Sequence, residues 1–278
     1  HAHALLRGLD VAAAAAAPGV RAVLTGEDVQ RWSQPFVVGV KQPMRHWALV
    51  VDRARYVGEP VAVVVAEDRY LAEDALDLIR VDWEPLPAVV EIEQALGEDA
   101  PTPALLHPEV GSNVVSERDF RYGDPEAAFA GAARRVSTTV RFPRSSCSPM
   151  ECGVVIAEYL SGDEGYEVLS NFMGPFSLHA VMAMALKVPG NKLRHKVPRD
   201  SGGSFGVKQA VFPYVVLMCL ASRRAGAPVK WVEDRLEHLS AATSATSRRA
   251  TLEAALDARG RITALRWDQV DEVGGYLR

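Results

Sequence analysis

Cysteine is scarce in this sequence, and its scarcity removes several chemistries at once. The chain of 278 residues holds three, Cys147, Cys152 and Cys219. An odd, sparse set builds no disulfide framework and falls short of a four-thiolate iron–sulfur or zinc site, so a reducing, cytoplasmic setting is expected. Long hydrophobic runs are missing too. Apolar stretches such as residues 61–66 and 211–221 fall well under the roughly 18 residues of a bilayer span, and no membrane insertion is expected. Basic charge is not in excess: 31 Lys and Arg against 35 Asp and Glu leave a net charge of −4. Nucleic acid and anionic lipid surfaces are therefore not expected as partners. The chain opens on His1 with neither a methionine nor a signal-like apolar segment, so its start reads as an excision.

What is present is the composition of an ordinary globular protein, 48% apolar and 24% charged with both signs interspersed. The length predicts two folding units. Gly58-Glu59-Pro60 turns the chain into a β-branched run at 61–66, suited to a strand buried on both faces. Asp68 can cap a following helix with Leu71, Ala75, Leu78 and Ile79 on one face, and Val81-Asp82-Trp83 reads as a returning strand halted by Pro85 and Pro87. The alanine-rich stretch 11–17 reads as helix. Residues 97–111, with Pro101, Pro103 and Pro108, read as a linker draped over the surface.

Beyond it, residues 134–142, 151–159, 165–170 and 193–197 read as strands. A helix is expected near Phe176, with an apolar stripe of Leu178, Val181, Met182 and Ala185. Residues 209–224 are apolar nearly all round, which predicts a deeply buried helix with Pro213 in its first turn. Residues 229–232 resume a strand, and 250–256 with 262–270 form a hairpin around the turn at 257–260.

The stretch with the clearest capacity for chemistry is Asp200-Ser201-Gly202-Gly203-Ser204-Phe205-Gly206-Val207-Lys208. Three glycines in five residues ahead of a helix let the backbone approach a ligand and offer free amides to an anionic or oxygen-rich group. A tight packing turn would use the same residues. The spacing to Lys208 is not that of a phosphate-binding P-loop. Asp200-Ser201-Gly202-Gly203 also echoes the loop around a protease nucleophile, but the accompanying His motif and cysteine framework are missing.

Several stretches, in order, resemble the large subunits of xanthine dehydrogenase/aldehyde oxidase-type molybdenum hydroxylases. His1-Ala2-His3-Ala4, Tyr56-Val57-Gly58-Glu59-Pro60-Val61-Ala62 and Val81-Asp82-Trp83-Glu84-Pro85-Leu86-Pro87 resemble the family's α/β hammerhead domain. Ser148-Pro149-Met150-Glu151, Gly202 through Lys208, Pro228-Val229-Lys230-Trp231-Val232-Glu233-Asp234-Arg235 and Gly260-Arg261-Ile262-Thr263-Ala264-Leu265 resemble its first molybdopterin-binding domain. The stretch 229–249 is closer to the carbon monoxide dehydrogenase-like branch. The resemblance implies an α+β chain: a hammerhead domain over 1–100, a linker over 101–118, and a molybdopterin-binding domain over 119–278 that is incomplete at its C-terminus.

By the same resemblance, Gly202, Gly203, Ser204, Phe205 and Gly206 would contact a molybdenum–molybdopterin cofactor, its cytosine dinucleotide form included, with no metal ligand supplied by the protein itself. Met173 stands where the family usually carries a glutamine that hydrogen-bonds an oxo ligand, and a thioether donates no hydrogen bond; the plainer reading makes Met173 a core residue. The implied activity is hydroxylation of a small aldehyde, an N-heterocycle or carbon monoxide with water as the oxygen source. Implied partners are an iron–sulfur subunit with 2Fe-2S clusters, an FAD subunit, the C-terminal portion of the same subunit and a small-molecule substrate. The family's glutamate base falls in a further domain beyond position 278. Glu151 is the candidate carboxylate within the chain, as a base or in an ion-paired role. The competing expectation is a non-catalytic homologue acting as a binding or assembly module. His179 and His195 are expected as surface or satisfied core residues, and Cys147 and Cys152 as packing residues.

Overall fold

The computed structural model describes residues 1–38, 44–98 and 103–276. Its strands are β1 (Ala4–Asp10), β2 (Val20–Leu24), β3 (Arg53–Ala54), β4 (Val63–Ala66), β5 (Arg80–Pro85) and β6 (Arg134–Phe142), followed by β7 (Val154–Leu160), β8 (Gly165–Ser170), β9 (Leu193–Lys196), β10 (Val229–Val232), β11 (Ser247–Leu256) and β12 (Ile262–Glu272). The helices are α1 (Ala12–Ala15), α2 (Gly26–Trp32), α3 (Arg69–Leu76), α4 (Ile92–Leu96), α5 (Pro125–Ala130), α6 (His179–Ala185), α7 (Phe212–Ala225) and α8 (Arg235–Ala241), with a 3-10 turn over Val207–Val211 leading into α7. No helix among the described residues is long and apolar enough to cross a membrane.

Four sheets result. In the first part of the chain β3-β1-β5 form an antiparallel trio, and β2 pairs with β4. In the second, the order β10-β7-β8-β9 is antiparallel except for the parallel β8–β9 edge, and β12-β11-β6 form a long antiparallel sheet. The strand, helix and strand expected over residues 61–83 form, but they do not share one sheet. β4 pairs with β2, β5 pairs with β1, and β4 is half-buried along its length. Asp68 caps α3 as expected, its carboxylate accepting the Leu71 amide at 2.9 Å.

α7 organises the core. Val215 to Ser222 are buried without interruption, so the helix has no wet face to give a periodic pattern. Pro213 sits in its first turn, where a missing amide costs nothing, and Gly226 ends it at φ +65°. It packs against β7, β8 and β10 and also against β2 and β4. One apolar cluster therefore runs from Leu24, Val29, Phe36 and Leu49 through Val155 and Val168 to Leu217 and Leu220. The two parts of the chain share this core.

The supposed surface linker is tied down. α4 closes on Gly97 at φ +74°, Asn113 donates to the carbonyls of Ala95 and Ala104, and His107 is buried with its Nε2 3.4 Å from the Gly275 carbonyl. Pro101 lies outside the described residues. Gly58 presses on the end of α8: a Cβ there would come within 2.4 Å of the Ala241 Cα.

Candidate functional site

The glycine-rich stretch crosses from β9 to α7 as a loop whose geometry depends on glycine at three places, one for space and two for backbone conformation. At Gly202 a Cβ would come within 2.5 Å of the Glu151 Cβ, so only glycine admits the carboxylate that accepts its amide. Gly203 and Gly206 both lie at φ +94°, and Phe205 between them at φ +51°. An L-residue in that region carries strain of about 1 kcal/mol or more. A Cβ on Gly206 would meet nothing within 4 Å, which leaves open room beside the loop.

Ser204 is the exception to this openness. Its side chain is buried and accepts the Lys208 amide at 3.3 Å, capping the 3-10 turn. The amide of Val207 donates back to the Ser204 carbonyl at 3.1 Å. The amides of Gly203, Ser204, Phe205 and Gly206 have no acceptor among the described residues. Successive free amides on a kinked, glycine-rich backbone form a concavity that suits an anionic, oxygen-rich group.

Behind the loop lies a hydrogen-bonded carboxylate. Glu151 Oε2 accepts from the Gly202 amide and from Lys208 Nζ at 2.7 Å, while Oε1 accepts from Asn171 Nδ2 at 2.9 Å. Lys208 is 2% exposed, so its ammonium depends on this carboxylate for a counter-charge. Burial pushes the Glu151 carboxyl up, but Lys208, Asn171 and the Gly202 amide together hold it down at about 2. Asn171 is itself fixed, donating to the Cys152 carbonyl at 2.8 Å and accepting from the Val154 amide at 2.9 Å. Arg235 binds the carbonyls of Pro149 and Met150 at 2.7 and 3.1 Å and holds the strand entry that carries Glu151.

Met173 is not a core residue. It is 55% exposed, and its amide donates to the Lys208 carbonyl at 3.2 Å, which places its backbone beside the end of the same loop. Phe205, Phe176 and Met150 are also largely exposed. The structure thus brings Met173, Glu151 and the loop 202–206 together. Ser201 is exposed, with no histidine bonded to it among the described residues. His179 Nε2 meets the Leu193 carbonyl at 2.8 Å. His195, expected to be surface or satisfied, has both ring nitrogens buried without a partner among the described residues and stacks on Phe172.

Asn171 and Lys208 escaped assignment from sequence, because an amide and a lysine in apolar surroundings give no spacing signal until the fold sets them around Glu151.

Two family profiles match this chain: the a/b hammerhead domain of aldehyde oxidase and xanthine dehydrogenase over residues 1–87, and the molybdopterin cofactor-binding domain over residues 106–278. The chain belongs to the molybdenum hydroxylase family. It is 34% identical over 288 residues to the gamma subunit of the 6-hydroxypseudooxynicotine dehydrogenase complex of Paenarthrobacter nicotinovorans, covering 100% of this chain and 35% of that protein. With the carbon monoxide dehydrogenase large chain of Afipia carboxidovorans it shares 32% identity over 292 residues, 99% of this chain and 35% of the relative. The crystal structure of quinoline 2-oxidoreductase from Pseudomonas putida 86 superposes with a TM-score of 0.84 at 36% identity, covering 96% of this chain and 34% of that one. This molybdenum hydroxylase chain spans about a third of the length of those relatives.

Proposed function

We propose that the chain is part of the molybdenum-cofactor-binding subunit of an oxidoreductase that hydroxylates a small molecule with water as the oxygen source. The observation that carries the reading is the loop 203–206: four amides without a protein acceptor beside the open space at Gly206. When bound, the molybdenum cofactor supplies the two-electron oxidation at a substrate carbon, and the electrons leave through 2Fe-2S clusters and FAD on partner subunits.

The chain's own residues hold and shape. The amides of Gly203 through Gly206 would hold the cofactor by donating to its oxygen atoms, and Glu151, ion-paired to Lys208, fixes the loop by taking the Gly202 amide. Glu151 is then a positioning residue, since a carboxyl held at about 2 by three donors takes up no proton near neutrality. Met173 and Phe205 present exposed apolar surface at the loop. Among substrates, N-heteroaromatic compounds are the first to assay, because relatives include a nicotine 6-hydroxylase large subunit and quinoline 2-oxidoreductase. Carbon monoxide and small aldehydes follow.

The test is molybdenum per chain, by elemental analysis, in the protein isolated with the polypeptides that accompany it. Near one molybdenum per chain is expected. Gly206→Leu should fold, at a cost of about 1 kcal/mol for its positive φ, and should lose the metal. A folded wild-type assembly without molybdenum would overturn the proposal.

A further inference from the structure

A second cluster of ligating side chains lies beside the β7 entry, on the cavity that Glu151 and Lys208 also border, and none of its side chains bonds to the loop 202–206. β7 and β10 pair antiparallel with Val154 opposite Val232. One step further, Glu233 meets Gly153, donating its amide to the Gly153 carbonyl at 2.9 Å and taking the Gly153 amide on Oε2 at 2.7 Å. α8 then returns His238 onto Glu233. One donor atom each from Cys152, Glu233 and His238 lies within 4.8 Å of the other two.

The hydrogen bonds of His238 call for a positive species in this cluster. Its Nε2 lies 3.0 Å from the Cys147 carbonyl, an acceptor, so Nε2 carries the hydrogen. That leaves the Nδ1 lone pair 3.1 Å from Glu233 Oε2, which is an acceptor as well. Two acceptors at that separation repel unless a positive species lies between them, either a proton or a metal ion. The thiol of Cys152 beside them favours the metal. A ligating histidine whose other nitrogen donates to a backbone carbonyl is the usual outer arrangement of a metal site.

We infer that Cys152, Glu233 and His238 form a binding site for a divalent ion of the zinc class. Thiolate, carboxylate and neutral imidazole suit zinc, and two negative ligands neutralise its charge. In a tetrahedral site with Zn–S of about 2.3 Å and Zn–N of about 2.0–2.1 Å, donors stand roughly 3.3–3.6 Å apart. The Nδ1 to Oε2 distance of 3.1 Å already approaches this, and the Cys152 sulfur lies within 4.8 Å of both. The fourth position falls to water. Glu233 and His238 border a cavity of about 40 Å³ between Tyr56, Tyr214 and Lys208, large enough to hold one. The ion would staple the start of β7 to the β10–α8 junction.

The full 278-residue chain, freed of metal by chelator, is titrated with Zn²⁺ and separately with Co²⁺. One equivalent of zinc is expected, with a near-ultraviolet thiolate-to-cobalt band that histidines such as His1 and His3 cannot produce. Cys152→Ser should abolish that band and weaken zinc binding at least tenfold. Cys147→Ser should change neither, because Cys147 contributes only its carbonyl. In the wild-type chain zinc should slow alkylation of Cys152 and leave Cys147 unaffected, a readout that does not depend on any variant folding. The site is overturned if zinc uptake is not saturable, if Cys152→Ser keeps the cobalt band, or if zinc gives Cys152 no protection.

Discussion

Glu151→Gln preserves the shape of the side chain behind the glycine loop and removes only its charge and one acceptor. The carboxylate meets three donors: the Gly202 amide and Lys208 Nζ on one oxygen, and Asn171 Nδ2 on the other. A glutamine amide offers one accepting oxygen and one NH2, so at least one donor must face another donor, and the 2%-exposed Lys208 loses its counter-charge. Breaking a buried ion pair costs roughly 3–5 kcal/mol. With a third of the Glu151 side chain exposed, screening reduces this to roughly 2–4 kcal/mol. At roughly 2–4 °C per kcal/mol for a chain of this size, the expected fall in Tm is roughly 4–16 °C at pH 7, read by circular dichroism. The pH dependence separates charge from packing. The folded carboxyl lies at about 2, below its ordinary 4.5, so its stabilisation is present above 4.5 and is lost as pH falls toward 2. The gap between wild type and variant should narrow across that window. A gap that stays constant from pH 7 to pH 3 would refute the ion-pair argument.

Gly58→Ala places a Cβ at 2.4 Å from the Ala241 Cα and 2.7 Å from the Ser240 carbonyl at φ +89°. Backbone cannot yield as a side chain can, so a loss of roughly 3 kcal/mol is expected as a lowered urea midpoint, and an unchanged midpoint would contradict the contact. Leu220→Ala empties a fully buried position at the centre of α7. It should cost roughly 2–5 kcal/mol in the same titration, with one cooperative transition if both parts of the chain depend on the shared core.

Local pattern carried the fold where an element announces itself. β6 and β8 occupy the ranges expected, and Pro213 marked the first turn of α7 because a proline is tolerated nowhere else in a helix. α5 and α8 went unread although their start signals are in the sequence. Asp124 precedes Pro125, and Asp234 with Glu237 forms a reciprocal cap. Each helix is too short to show a periodic stripe, so its start signal was its whole signature.

Pairing was illegible for a different reason. β11 finds β6 more than a hundred positions earlier, and nothing local says that β5 belongs beside β1 and not beside β4. The same limit governs the sites. Glycines at 202, 203 and 206 mark a loop by their own conformational freedom, whereas Lys208 and Asn171 acquire meaning only when β7, β8 and the 3-10 turn converge on Glu151. Cys152 and His238 stand 86 positions apart, and one register, Val154 opposite Val232, brings them together. A one-residue slip in that pairing would turn Glu233 to the opposite face of the sheet and dissolve the cluster. Zinc binding, if measured, would therefore report the β7–β10 register as directly as it reports the ligands.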